Sequence, residues 1–388
     1  MNKFEFYNPT KIVFGENSIN KLSELIKPFG ENIMLAYGGG SIKKNGIYNS
    51  VIEILKSEDK NIYELSGITP NPKLDKVYEG IKICKENNID FILAVGGGSV
   101  IDCSKAIAVG AKTDKDVWEA FYKNKENCTD AIPLGTILTI SATGSEMNKG
   151  SVITNWETHE KLSYKTEYMF PKFSILDPTY TYSLPKEQIV YGSIDILAHV
   201  FEQYFSYPDE SNVSDNLAEG IIKTVIENLE IALENPSNYN ARSNLMWAST
   251  MALNDVIRMG KEQDWSSHGM GHILSGLYDI PHGATLAIIF PNWMKHVYKN
   301  ATNKFKRYAI NICNINPEGK TDEEIALEGI NRTKEYFAKI GAPVTLKDVN
   351  ISKEDIDKIV EMSNFNGSGS YRKLYKDDVR EILLKAAE

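Results

Sequence analysis

The chain is predicted to fold as an α/β domain on a parallel sheet, followed by an all-helical domain. Three observations carry this. Short apolar runs alternate with helical patterns through the first half, two of those runs end in the same Gly-Gly-Gly-Ser turn, and beyond about residue 185 long amphipathic patterns take over. Strands that alternate with helices imply βαβ units and therefore parallel strands.

The elements follow in order. The hairpin-like start, Phe4 to Phe14, supplies edge strands. Asn32 to Tyr37 is a buried strand that runs into Gly38-Gly39-Gly40-Ser41, with a helix from about Tyr48 to Ser57. Asp90 to Val95 is a second such strand, which runs into Gly96-Gly97-Gly98-Ser99 and a helix over Val100 to Ala111. The turn-rich stretch Asp177-Pro178-Thr179 marks the boundary, giving an α/β domain over 1–180 and a helical domain over 181–388. In the second half, Ser214 to Glu234 and Asn240 to Met259 read as amphipathic helices. Lys376 to Ala387 places Val379, Ile382 and Leu383 on one face of a closing helix.

Composition narrows the function classes. With 42% hydrophobic and 24% charged residues the chain is ordinary globular material. Its formal charge of −9 lacks the footprint that favours nucleic acid or an anionic membrane, so neither partner is expected. No run of about 20 residues is free of charge, so no transmembrane helix is expected. Lys3, Glu5 and Lys11 interrupt the N-terminus, which does not read as a signal peptide. Cys84, Cys103, Cys128 and Cys313 have no paired spacing; they read as reduced thiols of a cytoplasmic protein.

A triple glycine between a buried strand and a helix lets the backbone approach a ligand, and the N–H groups at the helix start attract a phosphate. Gly97, Gly98 and Ser99 form one such cradle, with Ser99 as candidate cap and Asp102 in the next turn as a partner for a ribose or an ammonium group. Two turns at matching strand ends strengthen the reading, because ligands sit at the carboxyl ends of such strands. Gly-x-Gly-x-x-Gly is absent, and no strand end carries an acidic residue about 20 residues on. At Gly39-Gly40-Ser41 there are only small residues, followed by Lys43 and Lys44. If that turn meets the adenosine ribose, charge favours NADP over NAD.

Six histidines are present, three of them between His268 and His282. Asp195 and His199 are four apart in a helical pattern, which sets a carboxylate and an imidazole side by side at bidentate spacing. His268 and His272 share that spacing, and spacing does not decide which of the two is a ligand. Asp with His is a mixed N/O donor set suited to Fe²⁺, Zn²⁺, Co²⁺ or Ni²⁺. His159 and His296 have no partner at chelating spacing and read as surface residues.

At these residues the chain resembles the iron-containing (group III) alcohol dehydrogenases, in particular the NADP-dependent butanol dehydrogenase and broad aldehyde reductase branch. The resemblance runs through Phe14-Gly15, Tyr37 to Ser41, Thr69-Pro-Asn-Pro72, Val95 to Ser99 with Asp102, Thr136 to Glu146, Leu176-Asp177-Pro178, Asp195 with His199, and His268 to Gly283. It implies a Rossmann-like first domain in a dehydroquinate synthase-like plan, and a homodimer. It implies a divalent ion, Fe²⁺ or alternatively Zn²⁺, on Asp195, His199, His268 and His282, and assigns His272 to the substrate pocket and proton relay. Gly97, Gly98 and Ser99 match the pyrophosphate cradle, and Asn71, Thr139, Ser141 and Lys161 match positions that line the cofactor. Gly39, Gly40 and Ser41 match the place where NAD-preferring relatives carry an Asp. Ser141-Ala142 departs from the family's usual Thr-x-Ala-Gly-Thr stretch.

The implied reaction interconverts butanal-like aldehydes and primary alcohols: the metal polarises the carbonyl, NADP(H) carries hydride and His272 supplies the proton. A glycerol or other polyol dehydrogenase of the same plan is one alternative; it would call for a more polar pocket than Trp156 and Trp265 hint at. A metal-dependent hydrolase without nucleotide is another, and the paired glycine turns speak against it. A catalytically silent binding protein is opposed by the complete ligand and relay set.

Overall fold

The computed structural model describes residues 1–209 and 211–388. In chain order the first 184 residues carry β1 (Lys11–Phe14), α1 (Leu22–Ile26), β2 (Asn32–Tyr37), α2 (Ser41–Lys44), α3 (Ile47–Ser57), β3 (Asn61–Leu65), α4 (Leu74–Glu86), β4 (Phe91–Gly96), α5 (Gly98–Gly110), β5 (Leu134–Leu138), β6 (Gly150–Asn155), β7 (Glu160–Lys165) and β8 (Phe173–Leu176). Then come α6 (Lys186–Tyr204), α7 (Asn212–Glu234), α8 (Tyr239–Ala252), α9 (Ser266–Tyr278), α10 (His282–Val297), α11 (Thr302–Asn311), α12 (Asp322–Lys339), α13 (Ile356–Met362) and α14 (Lys376–Ala386). A small ribbon, β9 (Asn366–Ser368) with β10 (Leu374–Tyr375), interrupts the helices before α14. The chain forms two compact units, Tyr7–Leu184 with Glu234–Asn254, and Met1–Phe6 with Pro185–Leu233 and Asp255–Glu388. The segment carrying α8 thus groups with the α/β unit although it lies beyond residue 180.

The α/β unit is a six-stranded sheet in the order β1-β8-β5-β4-β2-β3, every pairing parallel. Side chains alternate between its faces. Ile33, Leu35, Phe91 and Leu93 enter one core with Leu22 of α1 and Val51 of α3, while Met34, Ala36, Ile92 and Ala94 enter the other with Val77 of α4 and Ile101 of α5. Helices cover both faces, which is why these strands read as unbroken apolar runs. The expected hairpin at the N-terminus is absent: residues 1–10 form no strand, and β1 is a single edge strand parallel to β8. An antiparallel hairpin does form later, from β6 and β7.

Register places the two glycine turns. Tyr37 pairs with Val95, so the turns leave β2 and β4 side by side. Gly96 pairs with Leu138, and the Thr139 N–H donates to the Gly96 carbonyl at 3.1 Å, which brings the segment after β5 to the same edge.

The helical unit is centred on two helices that are buried over most of their length. Every residue of α6 from Gly192 to Tyr204 is buried, as is α10 from Gly283 to Met294. Such helices belong in a core. At Gly283 a Cβ would run into the Tyr191 carbonyl, so only glycine lets the first turn of α10 lie this close to α6. Phe205 stacks on Phe305 with ring centroids 4.4 Å apart. Among the described residues no helix is long and apolar enough to cross a membrane.

Two local expectations are corrected. α8 stops at Ala252 rather than running to Met259, because Leu253 leaves helical angles (φ −140°) and Asp255 takes a left-handed φ of 77°. His296 is not a surface residue. It is buried on α10, with Nε2 2.9 Å from Asp378 and Nδ1 3.6 Å from Glu381. His159 is exposed near the β6–β7 turn, and all four cysteines are free thiols.

Candidate functional site

Two groups of residues stand out, one in each unit. In the helical unit, α6 carries Asp195 and His199 one turn apart, α9 carries His268 and His272, and α10 begins at His282. Three of these side chains, Asp195, His268 and His282, offer one donor atom each within 4.8 Å of one another. Around Asp195 Oδ1 lie His199 Nε2 at 3.8 Å, His282 Nε2 at 3.9 Å and His268 Nε2 at 4.0 Å. The His199 and His268 rings stack with centroids 4.8 Å apart.

The residues fit a divalent ion. One carboxylate and three imidazole nitrogens are the donor types that such ions take. The donors stand beyond hydrogen-bond reach of Asp195 Oδ1, at separations that two bonds of about 2.0–2.2 Å to a common ion can bridge. Asp195, His199 and His268 are buried and His282 is partly exposed, so one side of the cluster is open. His272 lies one turn beyond His268, its ring centroid 6.3 Å from that of His268 and 5.0 Å from that of His282. Spacing alone left His268 and His272 equivalent; in the structure His268 is the one that reaches Asp195.

A fifth group at this cluster escaped the sequence reading. Glu202 is fully buried, and its Oε1 accepts from the His268 backbone N–H at 2.9 Å and lies 2.8 Å from His268 Nδ1. Its Oε2 accepts from the Trp265 N–H at 2.8 Å. Burial pushes the Glu202 carboxyl up to about 8, against the N–H groups of His268, Trp265 and Ser267. A dication on the neighbouring donors would pull the other way. The signal was available: Asp195, His199 and Glu202 follow one another at i, i+4 and i+7, on one face of α6. Trp265 flanks the cluster, its ring 5.1 Å from His268, whereas Trp156 is exposed in the other unit, under the Lys73 ammonium.

In the α/β unit the two glycine turns differ. A Cβ on Gly97 would press on Ile140 at 3.1 Å, and one on Gly98 would collide with Thr143, so packing against the segment after β5 already demands glycine there. Around Gly39 and Gly40 an added Cβ would meet nothing within 4 Å. Neither packing nor a left-handed φ requires glycine at those two positions, and the open space is what a closely approaching ligand needs. Gly97, not Ser99, is the N-cap of α5. Thr139 and Ser141 follow β5 at the same sheet edge.

Asp102 has partners within its own unit. Ser145 Oγ donates to Oδ1 at 2.5 Å, and the Val152 N–H donates to Oδ2 at 2.9 Å. Lys161 lies on β7 and donates to Asn71 Oδ1 at 2.9 Å; Asn71 is buried with φ 50°. A carboxylate does stand near the first glycine turn. Glu64 on β3 accepts from Tyr37 Oη at 2.5 Å and from Tyr48 Oη at 2.7 Å, and lies 3.9 Å from Lys43 Nζ. Lys43 in turn lies over the Tyr37 and Tyr48 rings. The pattern of β3, half-polar Asn-Ile-Tyr-Glu-Leu, hid this residue.

Residues 9–178 match the family model described as iron-containing alcohol dehydrogenase, and residues 189–387 match the model for the C-terminal part of the Fe-containing alcohol dehydrogenase family. The chain is 47% identical over 384 residues to a probable NADH-dependent butanol dehydrogenase of Bacillus subtilis, covering 99% of each. It is 38% identical to the NADPH-dependent aldehyde reductase YqhD of Escherichia coli, covering 95% of this chain and 94% of that one. The crystal structure of NADH-dependent butanol dehydrogenase A from Thermotoga maritima superposes with a TM-score of 0.96 at 45% identity, covering 100% of this chain and 99% of that one.

Proposed function

The chain belongs to the iron-containing alcohol dehydrogenase family, and within it we propose a metal-dependent, NADP(H)-linked enzyme that interconverts butanal-like aldehydes and primary alcohols. The observation that carries this reading is the convergence of Asp195, His199, His268 and His282 from three helices on one small volume. When bound, a divalent ion (Fe²⁺, alternatively Zn²⁺) supplies Lewis-acid polarisation of the substrate oxygen, and the nicotinamide supplies or accepts hydride.

The chain's own residues do the rest. Asp195 and the three histidines hold the ion. His272 holds a proton on its ring and passes it to the substrate oxygen, a general-acid role within reach of its ordinary chemistry. Gly97, Gly98 and Ser99 present N–H groups at the start of α5 to the pyrophosphate. Asn71, Asp102, Thr139, Ser141 and Lys161 line the cofactor, with the helical domain over 181–388 contributing the metal and the domain over 1–180 the dinucleotide.

NADP(H) rests on Gly39, Gly40 and Ser41, where the backbone leaves open space and no carboxylate is built into the turn itself. NADH is a second reading, favoured by Glu64, whose charge lies beside Lys43. We also propose a cytoplasmic homodimer, supported by the free thiols and by the family. Butanal reduction followed at the nicotinamide absorbance, with NADPH and with NADH, after chelation and add-back of Fe²⁺ or Zn²⁺, tests the whole. Metal-restored activity is expected, and full turnover in chelated buffer overturns the metal assignment.

A further inference from the structure

We propose that Glu202 is a positioning residue of the metal centre, holding His268 in the one ring orientation and tautomer that leaves Nε2 for the ion. This rests on the metal reading of the Asp195 cluster. The carboxylate is fully buried at the end of α6 and spends both oxygens on α9. α9 begins at Trp265, which is in a left-handed conformation (φ 62°) and offers no side-chain cap of its own. Glu202 takes that place from another helix. It accepts the Trp265 and His268 N–H groups at 2.8 and 2.9 Å, where a helix start favours negative charge.

The same carboxylate then acts on the imidazole. Each oxygen of Glu202 already accepts a backbone N–H, the arrangement that suits an ionised carboxylate, which assigns the proton between Glu202 and His268 to Nδ1. The lone pair is then on Nε2, the atom 4.0 Å from Asp195 Oδ1. A histidine that donates its second N–H to a carboxylate is oriented and made more basic at the other nitrogen. Charge balance agrees. Asp195 and Glu202 are two buried acids at the cluster, and as carboxylates they would together match the charge of a dication. The backbone N–H bonds from Trp265 and His268 fix the Glu202 carboxyl in place, so that it stands ready for His268 Nδ1 at 2.8 Å.

The test is equilibrium metal binding to the chelator-stripped full chain. Co²⁺ or Zn²⁺ is titrated against a chromophoric competitor, with circular dichroism as the check on folding. Glu202→Gln keeps the size and an acceptor for one of the two backbone N–H groups but loses the charge. It is expected to fold and to bind the ion roughly 10–100-fold more weakly, the range seen when such outer partners are removed. Co²⁺ bound to the variant should also show a changed visible spectrum. If Glu202→Gln does not fold, Glu202→Asp is measured. It keeps the charge but withdraws the carboxylate by one methylene, and about tenfold weaker binding is expected. A folded variant with wild-type affinity and spectrum overturns the role of Glu202 while leaving the metal site standing. A wild-type chain that binds neither ion, or binds equally after His282→Ala, overturns the metal reading itself and this role with it.

Discussion

Lys105, with none of its surface exposed, donates through Nζ to the Ser145 carbonyl at 2.6 Å. The same ammonium reaches Ser145 Oγ, both the carbonyl and the side-chain oxygen of Asn148, and the Gly150 carbonyl, at 2.9–3.0 Å. One residue of α5 thus ties down the segment from Ser145 to Gly150 that leads into β6. Ser145 passes the connection on to Asp102, one turn back on α5.

Removing that ammonium leaves several buried acceptors without a donor, and breaking a buried charged network of this kind costs about 3–5 kcal/mol. Lys105→Met is therefore expected to lower the unfolding free energy by about that amount in urea. Ser145→Ala, which deletes one hydroxyl, should cost only about 1–3 kcal/mol. Equal stability of Lys105→Met and the parent would show that the network contributes nothing net.

Coenzyme choice is decided at the first glycine turn if the proposed cofactor site is right. Gly39→Asp puts a carboxylate into open space, so the fold should tolerate it. The Kd for NADPH is expected to rise at least about tenfold more than that for NADH, equivalent to ~1.4 kcal/mol of added repulsion. Glu64→Gln acts in the opposite sense, because it removes the charge that lies beside Lys43. It should tighten NADPH relative to NADH. Parallel shifts for both nucleotides, read by fluorescence titration, would remove the phosphate argument.

How much of this was legible beforehand depends on the distance over which each signal acts. The strands β2 and β4 and their glycine turns could be read because an apolar run and its turn are contiguous. Asp195 and His199 could be read because one helix turn joins them. The convergence of His268 with His282 could not, since it depends on how α9 and α10 meet, and only the family resemblance chose His268 over His272. Glu202 was passed over because a carboxylate in a helix normally means a solvated face. His296 was misplaced for a related reason: its partner Asp378 is 82 residues away, and nothing local to α10 announces it.

The four proposed ligands should behave as a set. His268→Ala or His282→Ala is expected to lose the divalent ion on dialysis and nearly all aldehyde reduction. His272→Ala should retain the ion while losing turnover, because its proposed task is the proton. Metal content by atomic absorption beside kcat separates the two classes. A His272→Ala protein depleted of metal to the same extent as His268→Ala would move His272 from the relay to the ligand set.

The buried pair His296 and Asp378 makes a prediction in acid. Burial alone would raise the Asp378 carboxyl. The Tyr375 N–H at 2.9 Å, His296, and Arg372 at 2.6 Å outweigh it and hold the group below the usual 3.8. A carboxyl whose folded value is depressed binds fewer protons in the native chain than in the unfolded one. Its stabilisation is therefore complete above the unfolded value, near pH 4, and is lost as pH falls through the folded value below that. Hydrogen bonds to charged groups contribute about 1.5–3 kcal/mol. Asp378→Asn should accordingly destabilise the helical unit by about that amount between pH 5 and 7, as read by urea midpoints. The difference from the parent should shrink steadily below pH 4, because the parent's Asp378 then becomes neutral as well. A gap that stays constant down to pH 3 would mean that shape and packing, not the carboxylate charge, account for what this residue does for α14.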